Sequence, residues 1–125
     1  MAHHVAPKDN YSIAKSLDEP IDGFLKKIDD DESFWVGDFD RVRQSLNLWE
    51  ENLPNIKPFY AIKCCDEPTL LQYLARKGIG FDCASQDEIE RMIKYGADPS
   101  NIVFSHPLKP AKSLKCAKEN GVLRL

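Results

Sequence analysis

The sequence predicts an α/β fold built on a parallel sheet, and three observations carry that prediction. Two short strand-like segments, residues 56–63 and 80–85, flank one helical segment, which is the pattern of a βαβ unit. From Asp38 onward the chain supplies three such strand-and-helix units and the start of a fourth. The composition, 42% hydrophobic and 30% charged, is that of an ordinary globular domain, and 125 residues allow one of modest size.

Composition and charge exclude several classes of function. A net charge of −3 and a pI near 5.6 argue against binding to nucleic acid or to an anionic membrane. No apolar run is long enough to span a bilayer, and no signal peptide opens the chain. The adjacent His3 and His4 are too few to predict a metal site. The four cysteines form no CxxC pair, so we expect reduced thiols in a cytoplasmic protein; they are Cys64, Cys65, Cys83 and Cys116.

The first third of the chain gives weaker signals. Apolar residues from Ile21 to Ile28 recur at helical spacing and predict a short amphipathic helix. Residues 34–36 are aromatic or β-branched and predict a strand. A second helix follows, marked by apolar residues at positions 42, 46 and 49, and Asp38 or Asp40 can cap its start.

The strand that ends at Lys63 is the first place to look for chemistry. Alternate side chains of a strand face opposite sides, so Phe59, Ala61 and Lys63 share one face, while Tyr60 and Ile62 pack on the other. Functional groups gather at the carboxyl ends of parallel strands. A lysine there could instead be an ordinary solvated strand end, which is the commoner case for this residue type.

Two further features follow Lys63 along the chain. The run Asp66-Glu67-Pro68 suits a helix start, and the next strand carries Asp82, a residue that strands disfavour unless something specific holds it. Ser85 to Glu88 has the form of a capping box, which accounts for Glu88 structurally. Residues 102–104 predict a third strand, after which His106 is either catalytic or a packing residue of the loop.

Two motifs resemble the eukaryotic-type family of ornithine, diaminopimelate and arginine decarboxylases. They are Pro58-Phe59-Tyr60-Ala61-Ile62-Lys63-Cys64 and Gly80-Phe81-Asp82-Cys83-Ala84-Ser85. The resemblance implies a partial (β/α)8 TIM-type barrel, alanine racemase-like, over residues 38–125, and a strand of a separate β domain within residues 1–37. It also implies pyridoxal 5′-phosphate held as a Schiff base on Lys63, Asp82 beside that lysine, and Glu88 in the wall of the active site. Cys65 departs from the family, which usually has asparagine there.

The resemblance implies decarboxylation of a basic amino acid, with ornithine to putrescine in polyamine biosynthesis as the first expectation. Arginine or diaminopimelate decarboxylation stays open, as does a non-catalytic role like that of antizyme inhibitors. The family implies a homodimer with shared active sites, and a basic helix face that meets antizyme; in this chain its residues would be Lys109, Lys112, Lys115 and Lys118. Because a full barrel needs about 250 residues, we expect residues 1–125 by themselves to be inactive.

Overall fold

The computed structural model describes residues 18–26 and 36–125. The chain divides into two compact units, residues 1–47 and residues 48–125. The first unit holds helix α1, Asp18–Leu25, and most of helix α2, Phe39–Asn52, which continues into the second unit. The second unit contains the sheet and the helices that pack on it, and it carries all the residues that the sequence singles out for chemistry.

The two helices of the first unit agree with the sequence pattern where they are described. Helix α1 covers the predicted apolar positions up to Leu25, while Ile28 lies outside the described residues. Of the predicted strand at residues 34–36, only Val36 is described, and it belongs to no strand. Asp38 caps α2, because its Oδ1 accepts from the backbone N–H of Asp40 at 2.9 Å and of Arg41 at 3.2 Å.

The sheet of the second unit has three parallel strands in sequence order: β1, Phe59–Ala61; β2, Gly80–Cys83; and β3, Ile102–Phe104. Ala61 is the register partner of Asp82, and Asp82 is that of Val103. One face is fully buried by the helices and carries Phe81, Cys83, Ile102 and Phe104. The other face, called the Asp82 face here, carries Phe59, Ala61, Gly80, Asp82 and Val103. The predicted alternation of Phe59 and Ala61 against Tyr60 is therefore confirmed.

Three helices follow the three strands and cover the buried face. They are α3, Pro68–Arg76; α4, Gln86–Lys94; and α5, Ala111–Glu119. Their inner residues are among the most buried of the described chain: Leu71, Leu74, Ile89, Met92, Cys116 and Ala117. Helix α3 begins as predicted, with the side chain of Glu67 accepting from Thr69 N–H at 3.2 Å and Pro68 in the first position.

The structure corrects two predictions about the strands: where β1 ends, and whether a fourth strand forms beside β3. Strand β1 ends at Ala61, and Lys63 lies beyond it in a 3₁₀ turn, Ile62–Cys64. The chain folds back there because the Tyr60 hydroxyl donates to the carbonyl of Cys65 at 3.1 Å. The predicted fourth strand is a single parallel bridge between Val103 and Arg124, supported by Phe104 N–H donating to the carbonyl of Arg124 at 2.9 Å.

None of the helices in the described ranges combines the length and the apolar character that a membrane span requires.

Candidate active site at the carboxyl ends of the strands

Lys63 lies in an exposed loop directly after β1, called the Lys63 turn here and comprising residues 62–66. Ile62 is 1% exposed and anchors the start of this turn in the core, whereas Lys63 and the three residues after it are exposed. The Tyr60–Cys65 hydrogen bond ties the middle of the turn back to the strand. The Lys63 amine is therefore accessible, and its backbone is fixed on both sides.

Asp82 is half-buried on the neighbouring strand, level with Ala61, two residues before Lys63. The hydroxyl of Ser105 donates a hydrogen bond to Asp82 Oδ1 and lies 3.4 Å from the carbonyl of Cys83. Ser105 follows β3 immediately, so the contact joins the ends of β2 and β3. It supplies the specific partner that an aspartate inside a strand requires.

Glu88 closes the start of α4 in the way its motif predicts. Its backbone N–H donates to Ser85 Oγ at 3.2 Å, and its own Oε2 accepts from Ala84 N–H at 2.6 Å. In the usual capping box the carboxylate reaches the N-cap residue itself, so this chain uses the N–H one residue earlier. The capping role of Glu88 is confirmed, and one carboxylate oxygen is engaged in it.

The electrostatics around the strand ends are set by burial. Burial raises the pKa of the Cys83 thiol to about 12, and the neighbouring carboxylates of Glu88 and Asp82 act in the same direction. Burial also raises the pKa of the Tyr60 hydroxyl to about 12, with a further contribution from Cys64. Both groups are therefore protonated at neutral pH, and Tyr60 keeps the proton that it donates to the Lys63 turn.

His106 and Lys109, beyond the end of β3, both turn toward their own loop. The Nδ1 of His106 lies 3.0 Å from Leu108 N and 2.5 Å from Leu108 O. Lys109 Nζ donates to the carbonyl of Phe104 at 2.5 Å and stands 4.7 Å from the centre of that ring. This geometry favours the loop-packing interpretation of His106.

Of the four lysines predicted to share a basic helix face, one does not lie on the helix. Lys109 precedes α5, which begins at Ala111, and its half-buried side chain is held by Phe104. The other three lysines are exposed on α5; they are Lys112, Lys115 and Lys118. One of them, Lys115, stands 3.8 Å from Glu119, so part of its charge is locally paired.

Two residues of this region were missed by the sequence reading. Ser105 directly follows β3, and the alternation of side chains along a strand places it on the same side as Val103 and Asp82. The sequence pattern could therefore have predicted that Ser105 lies near Asp82. Arg91 gave no such signal, because its partner Asp66 lies 25 residues away in the chain.

Comparison with known proteins identifies the family of this chain. Residues 39–125 match the family model described as "Pyridoxal-dependent decarboxylase, pyridoxal binding domain". The chain belongs to this family. Pyridoxal phosphate is the cofactor of the family, and the resemblance seen in the two motifs is confirmed.

Among the relatives, the ornithine decarboxylase of Neurospora crassa is 41% identical over 107 residues, which is 86% of this chain and 22% of that protein. The ornithine decarboxylase structure from Entamoeba histolytica superposes with a TM-score of 0.79 at 31% identity, over 85% of this chain and 34% of that one. The arginine decarboxylase structure of Paramecium bursaria Chlorella virus gives a TM-score of 0.78 at 34% identity, over 85% and 29% respectively.

These likenesses confirm the predicted fold class, an α/β chain that forms part of a TIM-type barrel. The chain spans well under half the length of each of these relatives. In a TIM-type barrel the helices cover the outside, so the Asp82 face is expected to line the interior; active sites of such barrels lie at the carboxyl ends of the strands.

Proposed function

We propose that this chain forms the first part of the cofactor-binding barrel of a pyridoxal-phosphate-dependent decarboxylase that converts ornithine to putrescine in polyamine biosynthesis. The observation that carries the proposal is the position of Lys63, an accessible amine directly after the first strand of the sheet and within the residues that match the pyridoxal-binding family model. Identity to an ornithine decarboxylase over 86% of the chain supports ornithine as the substrate.

Three side chains have separate roles in this proposal. Lys63 holds the cofactor through its amine, since a primary amine is the group that reacts with an aldehyde. When bound, pyridoxal phosphate supplies an electron sink for the charge left by loss of carbon dioxide. Asp82, oriented by Ser105, lies level with the end of β1 and provides a fixed carboxylate for the bound cofactor. Glu88 fixes the loop between β2 and α4, and the proposal assigns its carboxylate to the wall of the site.

The proposal extends to organisation and partners. Residues 38–125 would form the start of the barrel, and residues 1–37 would include a strand of a separate β domain. A homodimer is expected when the barrel is complete, and a cytoplasmic location is supported by free thiols at all four cysteines. Antizyme, an acidic regulatory partner, would meet the exposed lysines of α5, with Lys109 excluded because Phe104 holds it.

The test is chemical trapping in a polypeptide that carries these residues together with the rest of the barrel, called the complete-barrel protein here. Borohydride reduction in the presence of pyridoxal phosphate, followed by peptide mapping, should leave the cofactor on Lys63. A label on another lysine would overturn the assignment. Residues 1–125 by themselves are the control and should retain no stoichiometric label, because the described residues form a sheet of three strands, with no further strands opposite the Asp82 face to hold the cofactor near Lys63.

There are two alternatives to this function: a different basic amino acid as substrate, and a non-catalytic role. The structural likeness to the viral enzyme favours arginine as an alternative substrate, and turnover of ornithine against arginine decides between them. A non-catalytic role like that of antizyme inhibitors is disfavoured by the retained aspartate at position 82, since those relatives tend to lose it. Trapping on Lys63 without turnover of any basic amino acid would favour the non-catalytic role.

A further inference from the structure

One side chain links the Lys63 turn to the helix that carries Glu88. Arg91, on the second turn of α4, donates from Nη1 to Asp66 Oδ2 at 2.9 Å and from Nη2 to Asp87 Oδ2 at 3.1 Å. Asp66 is the last residue of the Lys63 turn, whereas Asp87 lies on the first turn of α4 itself. One guanidinium therefore spans two elements that flank the candidate active site.

Burial and charge indicate that this link is firmer than an ordinary surface ion pair. The side chain of Arg91 is only 28% exposed, while Asp66 is 67% and Asp87 82% exposed. The hydrogen bond to Asp66 raises the pKa of Arg91 and outweighs the opposing effect of burial, and the charges of both aspartates act in the same direction as the hydrogen bond. A half-buried guanidinium has few other conformations available, so it fixes its partner better than an exposed lysine would.

The Lys63 turn is thus fixed at three points. Ile62 is buried at its start, Tyr60 binds the carbonyl of Cys65 in its middle, and Arg91 binds Asp66 at its end. The backbone of Lys63 lies between the first two of these points, and the first turn of α3 follows the third. Loss of the Asp66 contact would remove the link between the end of the turn and α4, and should loosen the start of α3, where Leu71 N–H donates to Glu67 O at 3.1 Å.

We propose that Arg91 is a positioning residue that holds the Lys63 turn through Asp66 and thereby fixes the lysine amine for the cofactor. The inference rests on the proposed function in assigning the cofactor to Lys63. The contact itself is independent of that assignment, and the two can be measured separately. A positioning residue alters how well the amine is placed, so it acts on cofactor affinity without touching the cofactor.

The experiment compares Arg91→Met with Arg43→Met in the complete-barrel protein. Arg43 is the matched control because it makes a single exposed ion pair with Asp40 at 3.0 Å, far along the chain from the site. In the cofactor-free protein, amide exchange at Leu71 should be roughly fivefold faster in Arg91→Met and unchanged in the control. Affinity for pyridoxal phosphate should fall by a similar factor, again only in Arg91→Met.

A second variant guards against a folding defect. Asp66→Ala removes the same contact from the exposed side and should reproduce both effects, and combining it with Arg91→Met should add little to either. Faster exchange with unchanged cofactor affinity would show that the contact merely supports α3, and the proposal would be overturned. If the unsubstituted protein binds no cofactor, the proposed function fails, while the exchange rates still report whether Arg91 holds the turn.

Discussion

Substitution of Glu88 separates its capping role from its proposed place in the active-site wall. The carboxylate accepts a hydrogen bond of 2.6 Å from the half-buried N–H of Ala84. Glu88→Ala leaves that donor without its acceptor, and a hydrogen bond to a charged group contributes about 2 kcal/mol. Glu88→Gln keeps an acceptor oxygen but loses the charge, and because charge-assisted bonds are roughly twice as strong as neutral ones, it should cost about 1 kcal/mol.

The assay is urea-induced unfolding of the complete-barrel protein, with cofactor affinity measured in parallel. Glu90→Ala is the control, because Glu90 is exposed on the same helix, and its hydrogen bonds within the described residues are a local one with Gln86 and a weak one with Cys116. It should change stability by less than about 0.5 kcal/mol. Equal destabilisation by the alanine and glutamine variants at position 88 would refute the acceptor argument. A large loss of turnover in Glu88→Gln with little loss of stability would make the active-site role the main one.

Two further predictions concern the same region. The pKa of Cys83 rises from 9.0 to about 12 on folding, so the folded state binds more protons between those values; its contribution to stability is present below pH 9 and is lost as the pH rises toward 12. Cys83→Ala should flatten this alkaline loss in denaturation curves, and an unchanged slope would contradict the burial argument. Asp82→Ala should depress turnover far more than folding, and Ser105→Ala should have a smaller effect in the same direction because Asp82 keeps its charge but loses its donor. Unchanged turnover in Asp82→Ala would remove that residue from the site.

The sequence by itself determined the three strands and three helices of the second unit and the faces of the strands, but not the end of β1 or the fourth strand. Period-two alternation separated Phe59 and Ala61 from Tyr60, and it did so correctly because successive side chains of a strand point to opposite faces. The start of α4 was equally readable, since a capping box is a contact between residues three or four apart. The family was inferred from the resemblance of two sequence motifs, because hydrophobic periodicity predicts secondary structure but does not identify a family.

Only the tertiary structure decided which side chains meet at the ends of the strands. Ser105 reaches Asp82 across 23 positions and Arg91 reaches Asp66 across 25, and both contacts depend on how neighbouring βα units pack. Two other corrections came from contacts between residues only five positions apart. Lys109 precedes α5 and binds the carbonyl of Phe104 instead of joining the basic helix face, and Lys63 lies in a turn whose backbone is bound by the hydroxyl of Tyr60. Local patterns encode which face a residue takes, whereas contacts between units exist only after the chain has packed.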